Sequence, residues 1–143
     1  MTDYVSFRIG EQLCGIEASQ VQQVFRPRGL TPVPLAPPEI AGIMSLRGRI
    51  VTAVCARRRL GLPQGPDSFA IGLEYAGDGY GLLVDAVGEV LSLDDASLEP
   101  APGVLPPLWA ECVRAVCSLE DGLLLVLDAP RLLLPGYAEG EAA

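Results

Sequence analysis

Asp85, Glu89 and Asp128 are the side chains of this 143-residue chain whose type and placement most invite a chemical role. A pair of carboxylates suffices for some hydrolases, one protonating the leaving atom while the other acts as base or nucleophile. Asp85, however, stands between two apolar runs where a strand turns, and a short carboxylate at such a place ordinarily accepts backbone N–H bonds. The structural role is the expected one. The remaining kit is thin, because the chain has no histidine and no lysine. That excludes a Ser-His-Asp triad, a Cys-His dyad, a phosphoacceptor histidine, a His-ligated metal, Schiff-base chemistry and the lysine of a phosphate-binding loop. Cys14, Cys55, Cys112 and Cys117 form no Cys-x-x-Cys pair, so a zinc site lacks both its spacing and its histidines. If Cys112 and Cys117 share a strand, their odd separation sends them to opposite faces. All four read as small buried apolar residues. We expect no enzymatic activity, no metal and no cofactor.

Arginine supplies every side-chain cation, and its distribution is uneven. Residues 1–60 hold eight arginines against four acids and residues 61–143 hold two against fourteen, net charges of +4 and −12 within a total of −8. A basic half joined to an acidic half implies two different partner surfaces, or two lobes that attract one another. Arg57-Arg58-Arg59 could meet phosphates in the manner of a nucleic-acid module. The absence of lysine, the 6% aromatic content and the bulk charge of −8 argue against nucleic acid and anionic membrane as partners. No apolar run approaches the roughly 18–20 residues that span a bilayer. The start, Met1-Thr2-Asp3, has neither the basic nor the apolar part of a signal peptide. A cytoplasmic protein without direct membrane insertion is expected.

Many short elements must position these residues, since 16 glycines and 13 prolines argue against long helices. Tyr4 to Ile9 alternates, with Val5, Phe7 and Ile9 on one face, and Gly10-Glu11 turns this half-buried strand into a second over 12–17. Val21, Val24 and Phe25 sit at i, i+3 and i+4, which predicts a short helical turn stopped by Pro27. Residues 26–38 hold five prolines and read as an extended connection. Strands near 42–46 and 49–55 meet at Arg47-Gly48, and Arg57 to Leu60 reads as a short helix ended by Gly61. Leu62 to Asp67 is the clearest linker. Beyond it Phe69, Ile71, Leu73 and Tyr75 alternate with small or polar residues, a strong strand signal. The turn Ala76 to Gly79 then leads into a strand through Leu82 and Val84. A Pro-rich loop over 100–107 precedes strands near 112–119 and 123–128. Trp109 beside it would anchor either a partner or the core. Asp128 can cap a last short helix with Pro130 in its first turn, ended by Pro135-Gly136. Short strands with regular turns predict an all-β chain, and closure into small barrels removes exposed edges.

Five pieces in register carry a resemblance. They are Cys14-Gly15-Ile16-Glu17 with Val21 and Val24, the turn Ser45-Leu46-Arg47-Gly48, the run from Gly81 to Leu93, Pro100-Ala101-Pro102, and Asp121-Gly122-Leu123-Leu124 to Leu133. Together, from Tyr4 to about Leu134, they resemble the CheW family of chemotaxis adaptors. The resemblance implies a single CheW-like domain over residues 1–143, all-β, made of two small SH3-like five-stranded barrels packed around a shared apolar core, with short helices. The linker places the lobes at about 10–65 and 66–134, with the N-terminal strand assignable to either.

The resemblance further implies a non-enzymatic adaptor coupling the cytoplasmic tip of a chemoreceptor to the regulatory domain of a CheA-type histidine kinase, with array formation as an extension. Arg47 leads the expected partner-binding residues, since a guanidinium at a hairpin tip can bind carboxylates or carbonyls in bidentate fashion. Ser45 and Gly48 belong to the same turn. Val21 and Gln23 correspond to a helical turn bordering the receptor groove, and Arg57 offers a further cation. Three positions depart from the family pattern: Gln23 stands for an acid, Ser45 for Asn and Cys55 for Asp. They leave open a non-motility chemosensory pathway, with output to pili or a cyclic dinucleotide, or a domain that regulates the kinase alone.

Overall fold

The computed structural model describes residues 1–133. The first strands are β1 (Thr2–Ile9), β2 (Gln12–Glu17), β3 (Val21–Phe25), β4 (Ile40–Leu46) and β5 (Arg49–Cys55), followed by helix α1 (Ala56–Arg59). Then come β6 (Phe69–Tyr75), β7 (Asp78–Val84), β8 (Ala86–Leu93), α2 (Pro107–Cys112), β9 (Val113–Leu119), β10 (Gly122–Leu127) and α3 (Ala129–Leu133). The strands form two five-stranded sheets, ordered β8-β1-β2-β10-β9 and β3-β6-β7-β5-β4, which are the two small barrels. The barrels are topological copies. In each, an antiparallel hairpin (β1–β2 or β6–β7) meets a parallel neighbour (β10 or β5), which pairs antiparallel with the last strand (β9 or β4). Even the covering of that last strand is repeated, by Thr31 against Ile43 and by Glu99 against Val116. No repeat of sequence announces this symmetry.

Three apolar clusters hold the molecule together, and strand periodicity sorts residues among them. Leu82 and Val84 of β7 face a seam shared by both sheets, with Phe7, Ile16, Ile71 and Leu127. Leu83, between them, faces the interior of its own barrel with Met44, Val51, Ala53 and Ala70. In the other barrel Tyr4, Leu93, Cys117, Leu124 and Val126 form the matching interior. Strands buried on both faces read as continuous apolar runs, such as Leu82-Leu83-Val84 and Leu124 to Leu127. The expected burial of Val5, Phe7, Ile9, Ile71 and Leu73 holds, and Phe69 is partly buried at the seam.

Three expectations are corrected. The lobes do not divide at residues 65 and 66: one sheet takes β1, β2, β8, β9 and β10, and the other takes β3 to β7. The linker 62–67 joins α1 to β6 inside a single sheet. It serves there because β5 and β7 are parallel, from Val51 beside Gly79 to Cys55 beside Leu83, and parallel neighbours require a crossover. Second, Val21 and Gln23 are not in a helical turn. They lie in β3, paired with β6, because β-branched and aromatic residues suit a half-buried strand and pairing with β6 outweighs a local period. The only helical piece there is the single turn Ala18–Gln20. Third, the end of the Pro-rich loop is helix α2, opened by Pro107 at its first turn, where the missing N–H costs nothing. It packs Trp109 against the seam. The expected cap on α3 is present, Arg131 N–H donating to Asp128 at 3.2 Å; its expected end at Pro135-Gly136 lies outside the described residues.

Candidate functional site

Leu46 pairs with Arg49 across a two-residue connection, and both of its residues have positive φ, 53° at Arg47 and 81° at Gly48. That is the pattern of a type I′ turn, whose twist matches the strands it joins. Glycine adopts it freely. An arginine does not, so the hairpin register imposes this backbone on Arg47. The side chain is exposed, and no salt bridge among the described residues engages it.

Arg47 and Gln23 face a common groove of about 200 Å³ with Phe25, Leu46, Val51 and Tyr80 in its lining. It lies where β3 and β4, the two edges of one sheet, approach each other, with Phe25 and Leu46 packed on that barrel's interior. At the rim Gln22 and Arg49 each donate to Glu74 Oε2 at 3.2 Å. The bond from Gln22, then that from Arg49, holds the Glu74 carboxyl below its usual range. Burial, above all, lifts the Tyr80 phenol above its usual value. Amides, guanidinium groups and a phenol over an apolar floor suit a protein surface, offering donors to carboxylates and backbone carbonyls.

The structure thus brings together Gln23 and Arg47. Ser45 and Gly48 are exposed on the same hairpin, while Val21 is half-buried against the seam. Phe25, Arg49 and Tyr80 escaped the sequence reading. Only the pairing of β3 with β6 and of β5 with β7 reveals that they share a groove.

Arg57 lies elsewhere. Asp85 is the single residue between β7 and β8, where the chain leaves one sheet for the other. Its N–H donates to the Arg8 carbonyl at 3.0 Å, and its carboxylate accepts the Gly10 N–H at 3.1 Å. Arg57 completes the knot with a bidentate pair, Nε at 2.9 Å from Oδ1 and Nη2 to Oδ2. The side chains are 21% and 14% exposed. Hydrogen bonds from Arg57, opposed by burial and assisted by Gly10, hold the Asp85 carboxyl below its usual 3.8. Asp85 therefore ties the β1–β2 turn to α1, and its role is structural as expected.

Asp85→Ala should cost about 1–2 kcal/mol, less than a fully buried pair because Arg57 can still reach water. A depressed carboxylate stabilises the fold fully above its unfolded pKa and loses that effect as pH falls through the folded value. The gap in urea midpoint between wild type and variant should therefore be widest at neutral pH and narrow below about pH 3.8. A gap that does not change with pH would overturn this.

The other candidate carboxylates are separately employed: Asp128 caps α3 and Glu89 is exposed on β8. All four cysteines are free and buried. Burial raises the Cys14 and Cys55 thiols and lifts Cys112 to about 11. Cys112 belongs to the seam and Cys117 to a barrel interior. Among the described residues no three of His, Cys, Asp and Glu gather as a metal ion requires, and no helix is long and apolar enough to cross a membrane.

A family model described as CheW-like domain matches residues 3–134. The chemotaxis protein CheW of Klebsiella aerogenes is 28% identical over 92% of this chain and 81% of its own length. The probable chemotaxis protein CheW of Rhizobium etli is 27% identical over 99% of this chain and 92% of its own length. Among solved structures, that of the scaffolding protein TtCheW from Thermoanaerobacter tengcongensis superimposes with a TM-score of 0.83 at 29% identity, covering 94% of each chain.

Proposed function

Because the chain belongs to the CheW-like domain family and is a non-enzymatic adaptor, we propose that it couples the cytoplasmic tip of a chemoreceptor to the regulatory domain of a CheA-type histidine kinase. The observation that carries this reading is the strained, exposed Arg47 beside Gln23 at one apolar-floored groove. An unneutralised guanidinium held on a rigid turn is pre-organised for a partner's carboxylates or carbonyls. Ser45 and Gly48 shape that tip, Val21 supports β3 from the seam, and the half-exposed edge of Arg57 is the least available of the expected contacts. Coupling works by bivalent presentation. Two modest contacts on one rigid body raise the effective concentration of each partner for the other, and repetition of that contact builds arrays. The protein acts in the cytoplasm, where both partners are reached.

Gln23 favours a second, narrower reading. A neutral amide at the groove, where the family carries an acid, leaves Arg47 free of an internal counter-charge. This suits a more acidic receptor or kinase than the usual one, and with it service in another chemosensory pathway.

Co-sedimentation with receptor-containing membranes and purified kinase from the source cell tests the proposal. The expected result is binding to each partner alone and a ternary complex with both; binding to neither overturns it. The purified chain alone should show no hydrolase, kinase or transferase turnover above background. A turnover abolished by Asp85→Asn would contradict the adaptor reading.

A further inference from the structure

The loops before β4 and before β6 line one cavity of about 360 Å³, with Cys55 at the end of β5 in its wall. It shares no residue with the groove beside Arg47. Leu30, Pro38 and Ala41 give the cavity an apolar side, and Arg58, Gln64 and Asp67 give it a polar one. Its walls are fixed. Ile40 N–H donates to the Pro37 carbonyl at 3.0 Å, Cys55 N–H to the Glu39 carbonyl at 2.7 Å, and Leu62 N–H to the Arg57 carbonyl at 2.7 Å. Gly65 lies so near Arg57 that a Cβ there would run into the guanidinium.

The charges of this cavity are not matched internally. Asp67 is half-buried and accepts only the Cys55 thiol, at 3.6 Å to Oδ1, a weak donor. Arg57 is already committed to Asp85 as a bidentate pair. Arg58 is exposed and gives Nη2 to Gln64 Oε1 at 3.2 Å. Neither Asp67 nor Arg58 is in a salt bridge among the described residues, although both line the same space. Burial lifts the Asp67 carboxyl above its usual 3.8, with Asp85 adding to the rise and Cys55, Arg57 and Arg58 opposing it. The carboxylate thus lacks a strong donor, and a cation brought to it gains a charge-assisted hydrogen bond.

We propose that this cavity binds a free α-amino acid with a compact apolar side chain: Asp67 takes the ammonium, Arg58 and Gln64 the carboxylate, and Leu30, Pro38 and Ala41 the side chain. An acid and a base that face one cavity without pairing are complementary to a ligand carrying both opposite charges. The volume lies within the range of small-molecule sites, and walls held by backbone bonds lose little freedom on binding. A bare metal ion fits less well, since among the described residues no three of His, Cys, Asp and Glu gather. A simple anion would meet Arg58 but would be repelled by Asp67. Binding here needs neither kinase nor receptor, so its success or failure is separate from that of the adaptor proposal.

Calorimetry and thermal unfolding of the purified chain with L-valine test the site. We expect saturable binding with a Kd on the order of 1 mM or tighter, and a thermal midpoint that rises with ligand concentration. Isobutylamine, which is valine without its carboxylate, and isovalerate, which lacks the ammonium, should each bind about tenfold or more weakly. Asp67→Asn and Arg58→Gln should each weaken valine binding by about the same factor. The ligand-free midpoint of Asp67→Asn should equal or exceed that of the wild type, because a carboxyl with a raised pKa is penalised in the folded state when charged. No saturable binding of valine, equal binding of isobutylamine or isovalerate, or undiminished binding by either variant would overturn the proposal.

Discussion

Replacing Leu82 by alanine should lower the unfolding free energy by about 3–4 kcal/mol, the usual cost of a Leu-to-Ala cavity in a tightly packed core. Leu82 is fully buried and sits between Val54 of β5 and Ile71 of β6, all three facing the shared seam. A domain of this size is stable by roughly 5–15 kcal/mol, so one such cavity removes a large share and should depress the thermal midpoint by about 10 °C. The more telling outcome is cooperativity. Trp109, the one tryptophan, packs on the seam from α2, whose chain neighbours β8 and β9 belong to the other sheet. Tryptophan fluorescence and far-ultraviolet circular dichroism should therefore fall together in the variant, at the same lowered midpoint. If the dichroism transition shifts and the fluorescence transition does not, the two barrels are separate folding units and the seam is not their common core.

That seam also explains what the sequence could and could not reveal. Period-2 alternation exposed β1 and β6, and turn chemistry located Gly10-Glu11, Arg47-Gly48 and the turn that begins at Ala76, though it was read through Gly79 where β7 already starts at Asp78, because each signal is confined to a few neighbouring residues. Continuous apolar runs such as Leu82-Leu83-Val84 mark strands buried on both faces, which is consistent with a core on either side of each sheet. The division of the chain between sheets was not legible. It depends on which strands pair across long separations, as β2 does with β10, and the Pro-rich linker gave a false boundary because a crossover within one sheet has the same composition as a hinge. Val21 and Phe25 satisfied a helical spacing by coincidence, since five residues are too few to separate a period of 3.6 from one of 2. For the site, Arg47 and Asp85 were visible as residues at turns. The groove was not, for Gln23 and Tyr80 meet it from strands far apart in the chain.

Arg47→Glu should weaken partner binding by roughly 2 kcal/mol or more, about thirtyfold in Kd, while leaving the unfolding midpoint nearly unchanged. The fold should tolerate it because the side chain is exposed and unpaired, and surface charges of this kind contribute little to stability. Glutamate and arginine also meet much the same backbone cost at positive φ, so the change isolates charge. Arg47→Asn separates the turn from its side chain. Asn-Gly is the favoured type I′ sequence, so this variant should be at least as stable as the wild type, yet should lose most of the same binding. Gln23→Glu would set an acid at the groove, giving Arg47 an internal counter-charge. It should strengthen binding to a receptor of ordinary charge and weaken binding to a more acidic one, which reports directly on whether this chain serves an unusual partner. Arg57→Glu is not an equivalent test, since it sets a carboxylate against Asp85 and attacks the knot between β1–β2 and α1. Co-sedimentation of each variant with receptor membranes and kinase decides the matter. Unchanged binding for both Arg47 variants would mean that the strained turn serves the hairpin alone, and that the groove beside it is not where partners dock.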